Sequence, residues 1–156
     1  MATILSRSGK PTARIEPEEI TVRVLSFRRT YFIGRLGGPQ SVIDDEATLD
    51  VDAVIEGTSN RHAKHVGQGM LVRLLHSECR SENSSKVSSF FGTVTLRGQQ
   101  RSMLAYLPEQ PFWALPELIE SGADTIQCTF IPMSSGYGDL LSFYMGRRDE
   151  LEVSQR

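Results

Sequence analysis

Between Glu18 and Arg28, Ile20, Val22 and Val24 alternate with Thr21 and Arg23, a two-residue period that places β-branched side chains on one face of a strand. Beyond Arg28-Arg29, the segment Thr30-Tyr31-Phe32-Ile33-Gly34 is again rich in strand formers, and Gly37-Gly38-Pro39 supplies a turn after it. The clearest strand follows. Leu49, Val51, Ala53 and Ile55 alternate with Asp50, Asp52, Val54 and Glu56, the signature of a sheet with one wet face.

Met70 to Leu75 reads as a further strand across a polar, glycine-containing stretch, 57–69. Val87 to Leu96 and Ser102 to Tyr106 form two more, joined by a tight reversal in which Gly98 provides positive φ. Ile126, Cys128 and Phe130 alternate with Gln127 and Thr129, and Leu140 to Tyr144 closes the series after the turn-rich 132–138.

One segment has helical period. In Pro111 to Ser121, Phe112, Leu115, Leu118 and Ile119 share an arc opposite Glu117 and Glu120, and Gly122 is a natural stop. Pro116 leaves two readings open: a helix over the whole segment, or one that starts at Pro116 as its first residue. In the longer helix Trp113 projects with the glutamates, away from the apolar stripe.

About eight short strands and one short helix, with connections too short for repeated helical crossovers, predict a mainly β fold: an antiparallel β-sandwich or open barrel. Residues 1–17 read as a flexible or edge segment, 18–148 as a single β-rich domain and 149–156 as a polar tail. The length of 156 residues suits one core without metal or disulfide support.

Composition narrows the function classes. Apolar residues at 39% and charged ones at 23% describe a globular chain rather than a disordered or membrane-embedded one. Seventeen basic against nineteen acidic residues give a formal charge of −2, which provides no general field for nucleic acid or an anionic membrane. The opening MATILSRSGK lacks the apolar core of a secretory leader, and Cys79 and Cys128 do not form a disulfide framework, so a cytoplasmic location is expected.

The densest local chemistry is Arg61-His62-Ala63-Lys64-His65. Arg61, His62, Lys64 and His65 read as an anion-binding loop for a phosphate, a carboxylate or nucleic acid, or else as an ordinary charged tip. Zinc on His62 and His65 lacks further ligands, and Asp44, Asp45, Glu46, Asp50 and Asp52 lack the order of a calcium loop, so no metal or cofactor is expected. Ser134-Ser135-Gly136-Tyr137-Gly138 departs from the nucleophile-turn order and Gly67-Gln68-Gly69 from a dinucleotide loop. A nucleophilic Cys79 with one of the histidines has no geometric support in the sequence.

These observations lead to a non-enzymatic binding or protein-interaction module, with Trp113 as the contact residue and a protein partner or self-association expected. An alternative is a small hydrolase or transferase built from dispersed His62, His65, Asp50 and Asp52. A further one is nucleic-acid binding through Arg28, Arg29, Arg61 and Lys64 with Tyr31 and Phe32, which the acidic overall balance disfavours.

Overall fold

Seven strands hydrogen-bond in the order β1-β2-β3-β5-β4-β7-β6 and close into a barrel. The computed structural model describes residues 15–36, 42–77, 91–134 and 136–154. The strands are β1 (Glu18–Leu36), β2 (Val42–Thr58), β3 (Gly69–Ser77), β4 (Gly92–Arg97), β5 (Gln100–Tyr106), β6 (Thr125–Ser134) and β7 (Tyr137–Gly146). A 3₁₀ helix spans Asn60–His65, and two α-helices, α1 (Glu109–Glu120) and α2 (Arg148–Ser154), complete the described elements. The fold is therefore mainly β, and of sandwich and barrel it is the barrel. The expected turn at Gly37-Gly38-Pro39, the residues 87–90 of the expected fifth strand segment, Cys79, Ser135 and residues 1–14 lie outside the described residues.

The alternating apolar positions turn inward as their period requires. Ile20, Val22, Leu49, Val51, Ile55, Val72, Leu74 and Ile126 are essentially inaccessible to solvent and fill the barrel together with Val94, Met103 and Phe130. Sequestering each of these large side chains stabilises the fold by about 1.5–3 kcal/mol relative to leaving it exposed. All strand pairings are antiparallel except β3 with β5, which run parallel because β4 is inserted between β5 and β7. The seam between β4 and β7 is narrow, with only Thr93, Val94 and Thr95 paired to Asp139, Gly138 and Tyr137.

The two segments expected at 20–24 and 30–34 are one strand. β1 runs unbroken past Arg28-Arg29, and a bulge lets it do so: Val24 pairs with Ala53 and Ser26 with Asp52, leaving Leu25 extra. The extra residue moves the inward face from Ile20, Val22 and Val24 to Phe27, Arg29, Tyr31 and Ile33. β1 pairs with β6 only from Glu18 to Arg23, whereas it pairs with β2 as far as Leu36. From Leu25 onward β1 is thus an arm held by β2 alone, while β2 itself stays paired with β3 from Val54 back to Glu46.

At the arm end, α1 covers the barrel. The longer of the two helical readings is the one formed, with Pro116 inside it. Pro116 has no N–H to give to the Phe112 carbonyl, but its ring is buried with Phe112 and Leu115 against the core, and this packing offsets the lost bond. Leu118 departs from the predicted stripe and is 39% exposed. The helix stops in a Schellman arrangement, with the Gly122 N–H donating to the Ile119 carbonyl and the Ala123 N–H to that of Leu118; Gly122 takes the required left-handed φ of 107°. In the segment read as a polar tail, α2 forms and buries Leu151. No described helix is long and apolar enough to cross a membrane.

Candidate functional site

The end of the barrel opposite the arm is an open mouth. β1 begins there, the 3₁₀ helix links β2 to β3 across it, and the β4–β5 and β6–β7 turns form its rim. Because the six-residue 3₁₀ helix turns every three residues, His62 and His65 share one face. That face points into the barrel: His62 and His65 are 8% and 3% exposed, whereas Arg61 and Lys64 face solvent. The segment is therefore split into a buried histidine pair and an exposed cationic pair.

Glu18 organises the polar side of the mouth. The His62 Nε2 lies 2.7 Å from Glu18 Oε2, the Ser59 hydroxyl donates to the same oxygen at 3.2 Å, and Arg61 approaches Oε1 at 3.4 Å. The His62 ring also stacks obliquely on Phe130, with centroids 6.0 Å apart, and stands 6.3 Å from the His65 ring. Among the described residues neither nitrogen of His65 makes a hydrogen bond of good geometry. Burial holds the His65 imidazole below its ordinary range; the positive charges of Lys64 and Arg101 and the neighbouring His62 act in the same direction, and Gln68 opposes them weakly. Arg101 is fixed nearby by donating to the Gly69 and Gly98 carbonyls at 2.8 and 3.1 Å.

A cleft of about 850 Å³ opens at this mouth. Its polar wall carries Glu18, Arg61, His62, Lys64 and His65, and its apolar wall Val94, Leu96, Phe130, Pro132 and Tyr137. Gly136 seats the β6–β7 turn on the rim. With φ at 74° its carbonyl accepts the Leu96 N–H at 2.6 Å, and a Cβ there would press on the Leu96 carbonyl.

The other predicted residues do not join this cluster. Asp50 lies on the outside of β2 between Arg73, at 2.7 and 2.9 Å, and Arg28, at 3.4 Å. Asp52 accepts from the Ser26 hydroxyl and Asp45 from that of Tyr31. These three acids are thus spread along one strand, each tied to a neighbour, and His62 and His65 do not meet Asp50 or Asp52. The basic-aromatic set is divided as well, with Arg28, Arg29, Tyr31 and Phe32 on the arm and Arg61 and Lys64 at the mouth. Among the described residues no three His, Cys, Asp or Glu side chains gather as metal ligands. Cys128 is buried inside the barrel, where burial pushes its thiol far up.

Trp113 lies at the arm end. It is 45% exposed and meets Phe112 edge-on with centroids 5.1 Å apart, beside a shallow depression formed with Arg29, Tyr31, Ala47 and Thr48. Glu18 is the site residue that sequence reasoning missed. It stands far from His62 in the chain, and only the antiparallel pairing that puts Ile20 opposite Thr58 brings the two together. No protein-family model, curated protein or solved structure matches this chain.

Proposed function

We propose that this chain is a non-enzymatic binding module of the cell interior whose barrel mouth takes a small amphipathic anion. The observation that carries this reading is the cleft's two-sided wall, with Arg61, Lys64 and the Glu18–His62 pair facing Val94, Leu96 and Phe130. A concave site of a few hundred to 1,000 Å³, mostly apolar and with a few converging polar groups, is the usual form of a small-molecule site. On the cleft wall Arg61 and Lys64 balance Glu16 and Glu18, and Arg101, close enough to act on His65, adds a positive charge beside the cleft, which suits a carboxylate or a similar monoanion. Glu18 is already engaged by His62, Ser59 and Arg61, which favours a fixed recognition surface over a carboxylate free to move protons.

The test is titration of ¹⁵N-labelled protein with 3-phenylpropanoate and, in parallel, its neutral amide. Amides of Arg61 to His65, Phe130 and Gly136 are expected to shift, and Lys64→Ala combined with Arg61→Ala should weaken the carboxylate at least tenfold. Shifts confined to other parts of the barrel, or none at millimolar ligand, would remove the reading.

A second reading has its own observation. Trp113 beside the exposed Tyr31 is a large aromatic anchor of the kind that protein interfaces use, which supports a protein contact at the arm end.

A further inference from the structure

The polar wall of the mouth holds a ring nitrogen whose hydrogen-bonding capacity is unused. A carboxylate only accepts, so the His62 Nε2 that stands 2.7 Å from Glu18 must carry the proton between them. In the neutral imidazole the lone pair is then on Nδ1. The His62 side chain is only 10% exposed, and among the described residues none donates a hydrogen bond to its Nδ1. Unlike the ring nitrogens of His65, this atom is not shut off from solvent, and His62 lines the cleft.

The donors around it are already used. The Ser59 hydroxyl gives its proton to Glu18, the Gln68 side-chain amide donates to the Lys64 carbonyl, and Arg101 donates to the Gly69 and Gly98 carbonyls. Water can satisfy Nδ1 while the mouth is open. A ligand that fills the cleft displaces that water, and a purely apolar one would leave a covered acceptor unpaired, which costs more than a hydrogen bond gains.

Given an anion-binding mouth, as proposed above, we infer that its ligand is a hydroxycarboxylate whose hydroxyl donates to His62 Nδ1 while Arg61 and Lys64 hold the carboxylate. The 3₁₀ helix rises about 2 Å per residue, so His62 stands one and two such steps along the axis from Arg61 and Lys64. The hydroxyl therefore belongs on the first or second carbon beyond the carboxylate. The apolar remainder of the ligand continues onto Phe130, whose ring already leans on His62, and onto Leu96. An ammonium group is a poorer donor here. It would bring another positive charge among Arg61, Lys64 and Arg101, and the carboxylate that could attract it, Glu18, is engaged by His62, Ser59 and Arg61.

Calorimetric titration of the full chain at pH about 8, where imidazoles are ordinarily neutral, separates the two levels of the reading. The ligands are 3-phenylpropanoate, its 2-hydroxy and 3-hydroxy derivatives as separate enantiomers, the methyl ether of each, and phenylalanine. At least one hydroxy acid should bind about tenfold or more tightly than both the unsubstituted acid and its own ether, which fills the same place but has no proton to give. The ¹⁵N resonance of His62 Nδ1 should move with that hydroxy acid and stay with its ether. In His62→Phe the advantage of the hydroxyl should vanish; the ligand series and the ring resonance need no variant, so the inference stays open to refutation if His62→Phe does not fold. Binding of 3-phenylpropanoate at the mouth with no gain from a hydroxyl on either carbon, ethers equal to their hydroxy acids, phenylalanine binding more tightly than any hydroxy acid, or an advantage that persists in folded His62→Phe would overturn the inference and leave the anion site standing. Binding of none of these carboxylates would remove both.

Discussion

Arg73 stands directly opposite Asp50 across the β2–β3 ladder, and its guanidinium closes on the carboxylate at 2.7 and 2.9 Å. Arg28 is the register partner of Asp50 on the other side, at 3.4 Å, so a three-strand ladder of alternating charge runs across the outside of the barrel. The fork of Arg73, followed by the charge of both arginines, holds the Asp50 carboxyl below its usual range despite its burial.

The depressed value means that the unfolded chain binds a proton at Asp50 more readily than the folded one. This contribution to stability is complete above the unfolded value of about 3.9 and fades as pH falls through the folded one. Denaturant unfolding of Asp50→Asn should show a loss of about 1–3 kcal/mol at neutral pH and a flatter profile below pH about 4. An equal pH profile in both proteins would count against it.

His65 acts in a different window. Its ring is held below the ordinary imidazole value, chiefly by burial, so protonation favours the unfolded chain. Stability is expected to be full above pH about 6.5 and to decline as pH falls below that value. Thermal unfolding midpoints of wild type and His65→Gln between pH 5 and 8 check this, with the variant nearly flat across the interval where wild type declines.

Gly136→Ala should weaken the mouth. The substitution places a side chain on a left-handed backbone and drives a Cβ into the Leu96 carbonyl, so a loss of at least about 1–2 kcal/mol is expected. The same change at Gly98, also left-handed but with open space around its Cβ position, should cost only the backbone strain, about 1 kcal/mol. Equilibrium unfolding of the pair separates the two effects.

Trp113→Ala should behave as the loss of a half-exposed ring. The edge contact with Phe112 is worth about 0.5–1.5 kcal/mol, against about 3–5 kcal/mol for deleting a fully buried tryptophan. Chemical denaturation at two protein concentrations distinguishes these magnitudes, and a loss near the larger range would place Trp113 in the core.

Much of the barrel was legible because its strands bury one face and leave the other wet. Leu49 to Ile55 alternates without interruption, and all four of its apolar inward positions are buried. The single strand β1 was not legible, since the bulge at Leu25 shifts the period and Arg28-Arg29 looks like a terminus. In fact the two arginines point to opposite faces, one toward Asp50 and one along the inner side of the arm. The longer helix was readable from its stripe, and only burial of Pro116 decides between the two starts. At the mouth, the sequence exposes the run Arg61 to His65 but not Glu18 or Phe130, which reach it through strand pairing over long separations.

The barrel owes its closure to unequal joints. β1 and β2 are zipped along nearly their whole length, while β4 and β7 share three residue pairs and the bond from Leu96 to Gly136. Such a joint parts before the rest when the molecule breathes, so amide hydrogens of Thr93 to Leu96 should exchange with deuterium well ahead of those in β2. Val94 and Leu96 belong both to this joint and to the apolar wall of the mouth. Transient parting would therefore widen the cleft from its apolar side, and the entry rate of a bulky ligand would be limited by an opening of the sheet itself.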